Sequence, residues 1–497
     1  MADSPIHSLV LGAGVGGLSM ALLLAKAGRR VTVLERQAEI GGRLARFHRQ
    51  GIPFDTGLHF TSSLVGILGQ MLAVLGAEED VVAESFPWSL RLPDGHELAF
   101  PNRGRGAFYD YLAREFPREQ DALRKYQSLE TEVLRRTPMF DLRVGMEDPM
   151  TAFSELDQLP LGMLLRRLGM SPELSCALAS TALYHGGLPA EVPAARHFRV
   201  SYGFEEEMIR LRHGGEALVR NFRRELERLG VEIRTSTRVV AFQSLDARGQ
   251  CHHAALSDGT DMAFDDLFSS LHPAEIVPLL PPENRRGFQR LTANLPDTCG
   301  FFTIFATVDA QCRTRPHLAS YLRDLDFNKI INPSGPKEAF LSTGCVFSQE
   351  TRLDGTPVQS LILLAPAPAP PAVTRPSREE KDAMAQVVLA HFYEALPEMR
   401  GKVQVIASAT PHTYARFIPP GRGAYGVRMR VGNPRLMGRL PVRNFYGIGE
   451  NAFTPGVVGT MLSSFLVARQ VLEEEAYLRL LPERAFPDHE FLTNWSC

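Results

Sequence analysis

The sequence predicts an α/β fold that begins with a strand, a helix and a second strand. Three observations predict it: an apolar strand pattern over residues 6–11 runs into Gly12-Ala13-Gly14-Val15-Gly16-Gly17, an apolar helical pattern follows, and residues 31–34 form another strand pattern. Gly12 allows a sharp turn, Gly14 lets the backbone approach a pyrophosphate, and Gly17 lets the helix pack close to the strand. This spacing is typical of a Rossmann-like dinucleotide-binding unit.

The residues after the second strand indicate which dinucleotide is bound. Glu35 lies about twenty residues beyond the turn, where its carboxylate can accept hydrogen bonds from an unphosphorylated ribose. A second glycine pair, Gly41-Gly42, and then Arg43 follow closely, a continuation that NAD dehydrogenases do not usually carry. Glycines remove side chains where a flat cofactor lies, and a guanidinium suits phosphate recognition. The continuation therefore favours FAD over NAD.

Several segments resemble those of a known flavoprotein family. The resemblance is to FAD-dependent phytoene desaturases, carotenoid isomerases and retinol saturases, within the amine oxidase superfamily. It covers nearly the whole chain and implies FAD as the cofactor, bound by a Rossmann-like domain of the amine oxidase type with an interleaved α+β substrate domain. The segments that carry it are 41–43, 54–60, 213–218, 231–240, 266–273, 410–417, 423–426, 444–451 and 454–461.

The resemblance also implies which residues contact FAD. The Gly-Gly-Arg backbone would follow the diphosphate, Val239 would lie at the adenine, and a helix from about residue 458 toward 475 would direct its N-terminus at the flavin. The family's acid at position 450 is usually Asp, so the longer Glu450 leaves the ribityl contact open. The full set is Gly12, Gly14, Val15, Gly16, Gly17, Glu35, Arg36, Gly42, Arg43, Leu58, His59, Val239, Leu271, Gly449, Glu450, Val457, Val458 and Met461.

Candidate catalytic residues come from the same motifs. By the resemblance His59 lies near the isoalloxazine, where it could shuttle a proton. A purely structural role, with the imidazole hydrogen-bonded to backbone, is given equal weight. Tyr414 and His412 share the threonine-proline segment 410–417, and for each a packing role is preferred to a catalytic one. We expect no metal site, because adjacent residues such as His252 and His253 on a strand point to opposite faces.

The positions of the FAD motifs predict an interleaved domain organisation. We expect the FAD-binding domain to be built from residues 1–74, 203–290 and 404–497. The substrate domain would take a helical segment, 75–202, and a β-sheet segment, 291–403. Local patterns predict the following elements: a hairpin at 92–96, a helix at 108–116, a strand at 300–308, a turn at 257–260, a proline-rich exposed loop at 365–371, and a helix near Ser377 with Glu380 in a capping box.

Composition fits an enzyme of this kind and excludes other classes. The chain has 497 residues, 44% of them hydrophobic, and a formal net charge of -2. No basic stripe indicates nucleic acid, and six cysteines without CxxC spacing indicate a reducing compartment. No window approaches about 18 apolar residues, and the apolar stretch 64–76 is expected to be a buried helix. We expect a cytoplasmic protein, with peripheral membrane contact as a hypothesis and no prediction of oligomeric state.

These observations leave three classes of function. The leading one is an FAD-dependent oxidoreductase that desaturates or saturates carbon–carbon bonds of a long apolar polyene, isoprenoid or fatty-acyl substrate. A second is a non-redox double-bond isomerase that uses reduced FAD, and flavin amine oxidation is a further enzymatic alternative. The third is a binding protein that has lost its flavin, against which the intact glycines argue. One βαβ fingerprint is present and nothing repeats it as a separate NAD(P)H domain would, so electrons are expected to pass through a diffusible acceptor or a direct encounter.

Overall fold

The computed structural model describes residues 5–137, 141–143, 154–312, 314–333, 340–369, 375–417 and 423–486. Numbered in chain order, the strands are β1 His7–Leu11, β2 Arg30–Leu34, β3 Arg46–Arg49, β4 Ile52–Asp55, β5 Thr61–Ser62, β6 Ala83–Ser85, β7 Trp88–Arg91, β8 Glu97–Phe100, β9 Met208–Leu211, β10 Glu232–Arg234, β11 Val239–Phe242, β12 His253–Leu256, β13 Asp261–Ala263, β14 Asp266–Ser269, β15 Gly300–Val308, β16 His317–Leu322, β17 Ser342–Thr351, β18 Pro357–Ala367, β19 Val403–Ala409, β20 Gly438–Arg439 and β21 Phe445–Gly447.

The α-helices lie between these strands, except for the last two, which follow β21. They are α1 Val15–Lys26, α2 Ile67–Leu75, α3 Arg105–Glu115, α4 Gln120–Arg135, α5 Leu161–Arg167, α6 Pro172–Ala179, α7 Ala194–Glu206, α8 Glu216–Arg228, α9 Pro273–Ile276, α10 Arg286–Thr292, α11 Phe327–Ile331, α12 Arg378–Ala395, α13 Pro411–Tyr414, α14 Val457–Val471 and α15 Glu474–Leu478. Within the described residues, no helix is both long and apolar enough to cross a membrane.

A parallel sheet forms the nucleotide-binding half of the molecule. Its order is β10-β2-β1-β14-β21-β20, and all pairs are parallel except the last. The strands β1 and β2 are buried on both faces, as expected for a sheet covered by helices. Helices α1 and α14 pack against each other beside this sheet. The carboxyl ends of β1, β14 and β21 therefore meet at one edge, where ligands of such sheets bind.

A long, mostly antiparallel sheet forms the other half. Its order is β19-β15-β18-β17-β16-β7-β8. Side chains of β15 alternate between the faces: Phe302 and Ile304 pack with α12, whereas Phe301 and Phe305 face the opposite side. Helices α3 to α7 pack on that opposite side, in a core that includes Trp88.

The proline-rich segment differs in part from the prediction of an exposed loop. Strand β18 continues through Pro366, which pairs with Phe301 of β15. The pairing of β18 with β17 ends at Leu364, so Pro366 has a strand neighbour on one side only, where a missing N–H is tolerated. The prediction of an exposed loop fails for residues 365–367. The edge position of Pro366 depends on where β17 stops pairing with β18, which the local sequence does not show. Residues 370 and 371 lie outside the described residues.

Other local predictions agree with the structure, with shifted ends. Strand β15 has the predicted bounds, the turns at 92–96 and 257–260 each join two paired strands, and Ser377 and Glu380 form the capping box of α12. The predicted helix 108–116 begins earlier, at Arg105. The helix predicted over 458–475 ends at Val471, because Leu472 is extended before α15 begins.

The sheets draw strands from distant parts of the chain. Strands β7 and β8 from the predicted helical segment join the long sheet. Strand β19 also belongs to that sheet and pairs with β15 up to Ala409, so it crosses the predicted boundary at residue 403. The division into five segments stays a prediction.

Candidate cofactor and active site

One cavity runs between the parallel sheet, the long sheet and helix α7. Its volume is about 1730 Å³, which exceeds the roughly 300–1,000 Å³ of common small-molecule sites. Its walls include the carboxyl edge of the parallel sheet and the inner face of β15 with Phe301 and Phe305. The cavity has room for a dinucleotide and a second ligand.

The glycine turn after β1 has the shape that an approaching phosphate requires. Gly12 has a φ of +94°, which favours glycine, and a Cβ atom at Gly17 would clash with the Gly12 carbonyl oxygen. A Cβ atom at Gly14 would meet no atom within 4 Å, and Gly14 lines the cavity at the N-terminus of α1. Space beside Gly14 is therefore open to a ligand at a helix N-terminus, where anions bind.

Glu35 is fixed at the same wall by backbone donors. Its Oε2 accepts a hydrogen bond from the Ala13 N–H at 2.9 Å, and its Oε1 accepts one from the Gln37 N–H at 2.8 Å. Each oxygen keeps a lone pair for a ligand hydroxyl. The arrangement fits recognition of a ribose diol beside the pyrophosphate turn.

The second glycine pair packs directly on the first turn. The Gly41 N–H donates to the Ala13 carbonyl oxygen at 2.8 Å. A Cβ atom at Gly42 would lie 3.1 Å from the Gly14 Cα, so a side chain there would crowd the turn. The two glycine motifs form one continuous cradle without side chains, which fits a dinucleotide lying across both.

Arg43 and Glu450 form an ion pair in the cavity wall. Their side chains remain 36% and 22% exposed, so both can contact a ligand. The extra methylene of Glu450 is what extends its carboxylate toward Arg43. Next to it, the Gly449 N–H donates to the Ser463 Oγ at 2.7 Å, which ties the end of the parallel sheet to α14.

The structure places most of the predicted cofactor residues on this cavity. Those that line it are Gly12, Gly14, Val15, Gly16, Glu35, Arg36, Gly42, Arg43, Leu58, His59, Val239, Leu271, Gly449, Glu450, Val457 and Val458. Gly17 lies behind the turn, and Met461 is 0% exposed within the core. Neither lines the cavity. The donor set and the cradle fit FAD.

Two of the three catalytic candidates lie on the cavity. His59 and Tyr414 line it, whereas His412, on the short helix α13, does not. Burial, opposed by Asp55 and aided by Arg210, lowers the pKa of His59 to about 4. Among the described residues, the buried Nδ1 of His59 has no hydrogen-bond partner. His59 therefore carries a neutral imidazole near neutral pH.

A closed ring of buried ion pairs supports the His59 segment. Arg46 contacts Asp55 at 2.8 Å and Glu350 at 2.6 Å, and Arg210 contacts Asp55 at 2.5 Å and Glu350 at 2.8 Å. Arg210 also donates to the His59 carbonyl oxygen at 2.9 Å. The ring joins β3, β4, β9 and β17. Sequence reasoning missed it, because its members are far apart in the chain and each strand alone carries no sign of the pairing.

Aromatic side chains form the wall next to His59. Phe60 contacts Tyr184 and Phe204, with ring centroids 4.9 and 5.9 Å away. Tyr414 shares a 2.6 Å hydrogen bond with Thr303, and burial raises its pKa to about 12. Tyr425 donates to the Leu183 carbonyl oxygen at 3.0 Å. Tyr414 and Tyr425 therefore line the cavity while internal partners hold their hydroxyl groups.

The fold and this site define a flavin-dependent class of enzyme. Residues 15–472 match the family described as flavin containing amine oxidoreductase, and the chain belongs to that family. The predicted family, the α/β fold with its Rossmann-like sheet, and FAD as the cofactor are confirmed. The protein is an FAD-dependent oxidoreductase.

Similar proteins of known name extend over most of the chain. All-trans-retinol 13,14-reductase of Macaca fascicularis is 24% identical over 94% of this chain and 86% of its own length. Prolycopene isomerase of Daucus carota is 22% identical over 93% of this chain and 79% of its own. Phytoene desaturase of Fusarium fujikuroi is 28% identical over 54% of this chain and 50% of its own.

Solved structures share the fold. An oxidoreductase from Methanosarcina mazei superposes with a TM-score of 0.65 at 17% identity, covering 93% of this chain and 99% of the other. A fatty acid isomerase from P. acnes that produces CLA superposes with a TM-score of 0.60 at 14% identity, covering 94% and 99%. At these identities the likeness defines the fold alone.

Proposed function

We propose that this oxidoreductase adds or removes two hydrogens at a carbon–carbon bond of a long apolar polyene, isoprenoid or fatty-acyl substrate. The observation that carries the proposal is that the nucleotide cradle and an aromatic wall belong to one cavity. An elongated apolar ligand can lie against this wall while its reacting bond lies beside the cofactor.

The named relatives support this substrate class. Retinol, phytoene and prolycopene are apolar polyenes, and the proteins named after them match this chain. The retinol reductase and the isomerase each match more than nine-tenths of it. A substrate of the same chemical type accounts for both the relatives and the aromatic wall.

We also propose how the chain holds the cofactor. The backbone around Gly14 and Gly42 would bind the diphosphate, Glu35 the adenosine ribose, and Val239 the adenine. The Arg43–Glu450 pair would bind the ribityl chain. Bound FAD supplies acceptance or donation of a hydride at carbon.

The remaining residues would prepare the substrate. The aromatic wall orients the chain and excludes water. His59, neutral near pH 7, can accept a proton at an imidazole nitrogen, and its segment is held in place by Arg210. We assign Tyr414 a packing role, since its hydroxyl is already bonded to Thr303.

The test is an anaerobic titration of the purified holoprotein with phytoene or all-trans-retinol, followed by mass analysis. Bleaching of the oxidised flavin band with a product two hydrogens lighter supports desaturation. A product two hydrogens heavier, formed only after the flavin has been reduced, supports saturation. A product of unchanged mass assigns the isomerase alternative, which the prolycopene isomerase relative favours. Bleaching by a primary amine and by neither polyene would overturn the proposal in favour of amine oxidation.

A lipophilic substrate also implies transient contact with a membrane surface, which we propose at the loop before α2. Val65 in this loop is 70% exposed, and its neighbours Ser63 and Gly66 line the cavity. An apolar residue at a cavity rim can insert among lipid headgroups. Flotation with phosphatidylcholine–phosphatidylglycerol vesicles should enrich the wild type over Val65→Asp. Equal flotation of the two, or none, contradicts the assignment.

A further inference from the structure

Two arginines on helix α7 line the cavity, one turn apart on the same face. Arg199 is fully engaged: its two terminal nitrogens contact the Asp157 carboxylate at 2.6 and 3.2 Å, and its Nε donates to the Thr137 Oγ1 at 3.1 Å. This fork-to-carboxylate pairing satisfies both groups. Asp157 is therefore committed to Arg199.

Arg196 lies on the same wall without such a partner. Within the described residues its guanidinium forms no hydrogen bond and no ion pair, and the residue lines the cavity. Burial and then the nearby charge of Arg199 lower the pKa of Arg196, and Asp157 opposes them. Arg196 is partly buried, and a guanidinium held away from bulk water without a partner is costly. An anion from a ligand would remove that cost.

The helix that carries Arg196 leads from this charge to the aromatic wall. Phe204 lies eight residues further along α7, and a rise of about 1.5 Å per residue separates the two Cα atoms by about 12 Å. The Phe204 ring contacts Phe60, the residue after His59. One ligand could therefore have an anion at Arg196 and an apolar chain that reaches the reacting end of the cavity.

We propose that Arg196 binds the terminal carboxylate of the substrate, so that the substrate is a long unsaturated acid rather than a hydrocarbon or an alcohol. The inference rests on the proposed function and narrows its substrate class. A carboxylate matches the guanidinium fork of Arg196 through two parallel hydrogen bonds. A diphosphate carries more charge than one free arginine can neutralise, so it fits this wall less well.

The test compares two ligands that share one polyene, all-trans-retinoate and all-trans-retinol, by equilibrium dialysis with the holoprotein. Arg196→Gln should weaken retinoate binding by about 10- to 100-fold and change retinol binding by less than about twofold. Arg196→Lys, which keeps the charge and loses the fork, should fall between. Arg167→Gln, a charge removal at an exposed site on α5 away from the cavity, is the matched control and should change neither affinity. Flavin content and melting temperature show whether each variant is folded.

Each outcome separates this inference from the function on which it rests. If the wild type binds or converts retinol and Arg196→Gln leaves retinoate affinity within twofold, the carboxylate assignment fails and the polyene function stands. An equal loss of both ligands in a folded, flavin-loaded Arg196→Gln protein also overturns it. A wild type that binds neither ligand overturns both proposals.

Discussion

Arg43 and Glu450, which are 407 positions apart in the sequence, meet as an ion pair in the wall of one cavity. Arg43 follows the second glycine pair, and Glu450 follows the last strand of the parallel sheet. The contact joins the two motifs that the sequence assigned to the same cofactor. It also shows that the longer acid at position 450 has a partner that a shorter side chain would reach less easily.

Removing the negative charge of that pair should weaken cofactor binding. Glu450→Gln keeps the side-chain length but leaves Arg43 without a carboxylate, so its guanidinium is no longer fixed. We expect FAD affinity to fall by roughly tenfold, the worth of one charge-assisted hydrogen bond. Titration of the apoprotein with FAD measures it. Glu132→Gln, at an exposed ion pair with Arg136 away from the cavity, serves as the control, and equal affinities for all three proteins would contradict the assignment.

Two glycines of the first turn should respond differently to alanine. Gly17→Ala places a methyl group against the Gly12 carbonyl, and we expect a loss of about 1–3 kcal/mol in the free energy of unfolding. Gly14→Ala meets open space, so the apoprotein should melt near the wild-type temperature while FAD binding is lost. Thermal unfolding and flavin titration of both variants check this. A Gly14→Ala protein that binds FAD normally would show that the phosphate does not bind at this turn.

Breaking the buried ion ring should lower the free energy of unfolding by a large amount. Asp55→Asn leaves Arg46 and Arg210 short of a counter-charge, and the expected cost is about 3–5 kcal/mol. The matched control is Arg212→Gln, which breaks a solvent-exposed pair with Glu84 and should cost less than about 1 kcal/mol. Denaturant unfolding gives both values. Similar costs for the two variants would show that the ring is not formed as described.

His59 should make the protein less stable as the solution becomes acidic. Burial is the main cause that lowers its pKa to about 4, from 6.5. Between these values the unfolded chain takes up a proton that the folded protein does not, so stability is complete above pH 6.5 and falls toward pH 4. The loss reaches at most about 3 kcal/mol. We expect His59→Gln to make this limb shallower in unfolding measurements from pH 7 to 5, while His197 and His391, whose pKa burial also lowers to about 4, retain the rest of it. His96→Gln, at an exposed site, should leave the limb unchanged.

The sequence predicted those parts of the fold and site that depend on neighbouring residues. The turn from Gly12 to Gly17, the capping box at Ser377 and the bounds of β15 follow from local backbone and side-chain preferences. The family motifs extended this to residues such as Glu450 and Val239. In the structure, most of these predicted cofactor residues line the cavity.

Features that depend on long-range packing could not be predicted from the sequence in the same way. The pairing of Arg46, Asp55, Arg210 and Glu350 arises only when the hairpin β3–β4 meets strands from two distant parts of the chain. Pro366 joins a strand because the neighbouring strand ends its pairing two residues earlier, at Leu364. The sequence alone does not show that the guanidinium of Arg196 is free, because that depends on Asp157 pairing with Arg199 instead.

The buried ion ring also bears on how ligands enter and leave. It joins the hairpin β3–β4 beside the cofactor cradle to β17 of the long sheet, in a setting almost without water. Hinge rotation of one half against the other would have to separate Glu350 from two buried arginines, at several kcal/mol for each broken pair. The two walls of the cavity are therefore a preorganised frame. Substrate exchange must proceed lengthwise past loops and side chains, and turnover should depend on their motion rather than on domain closure.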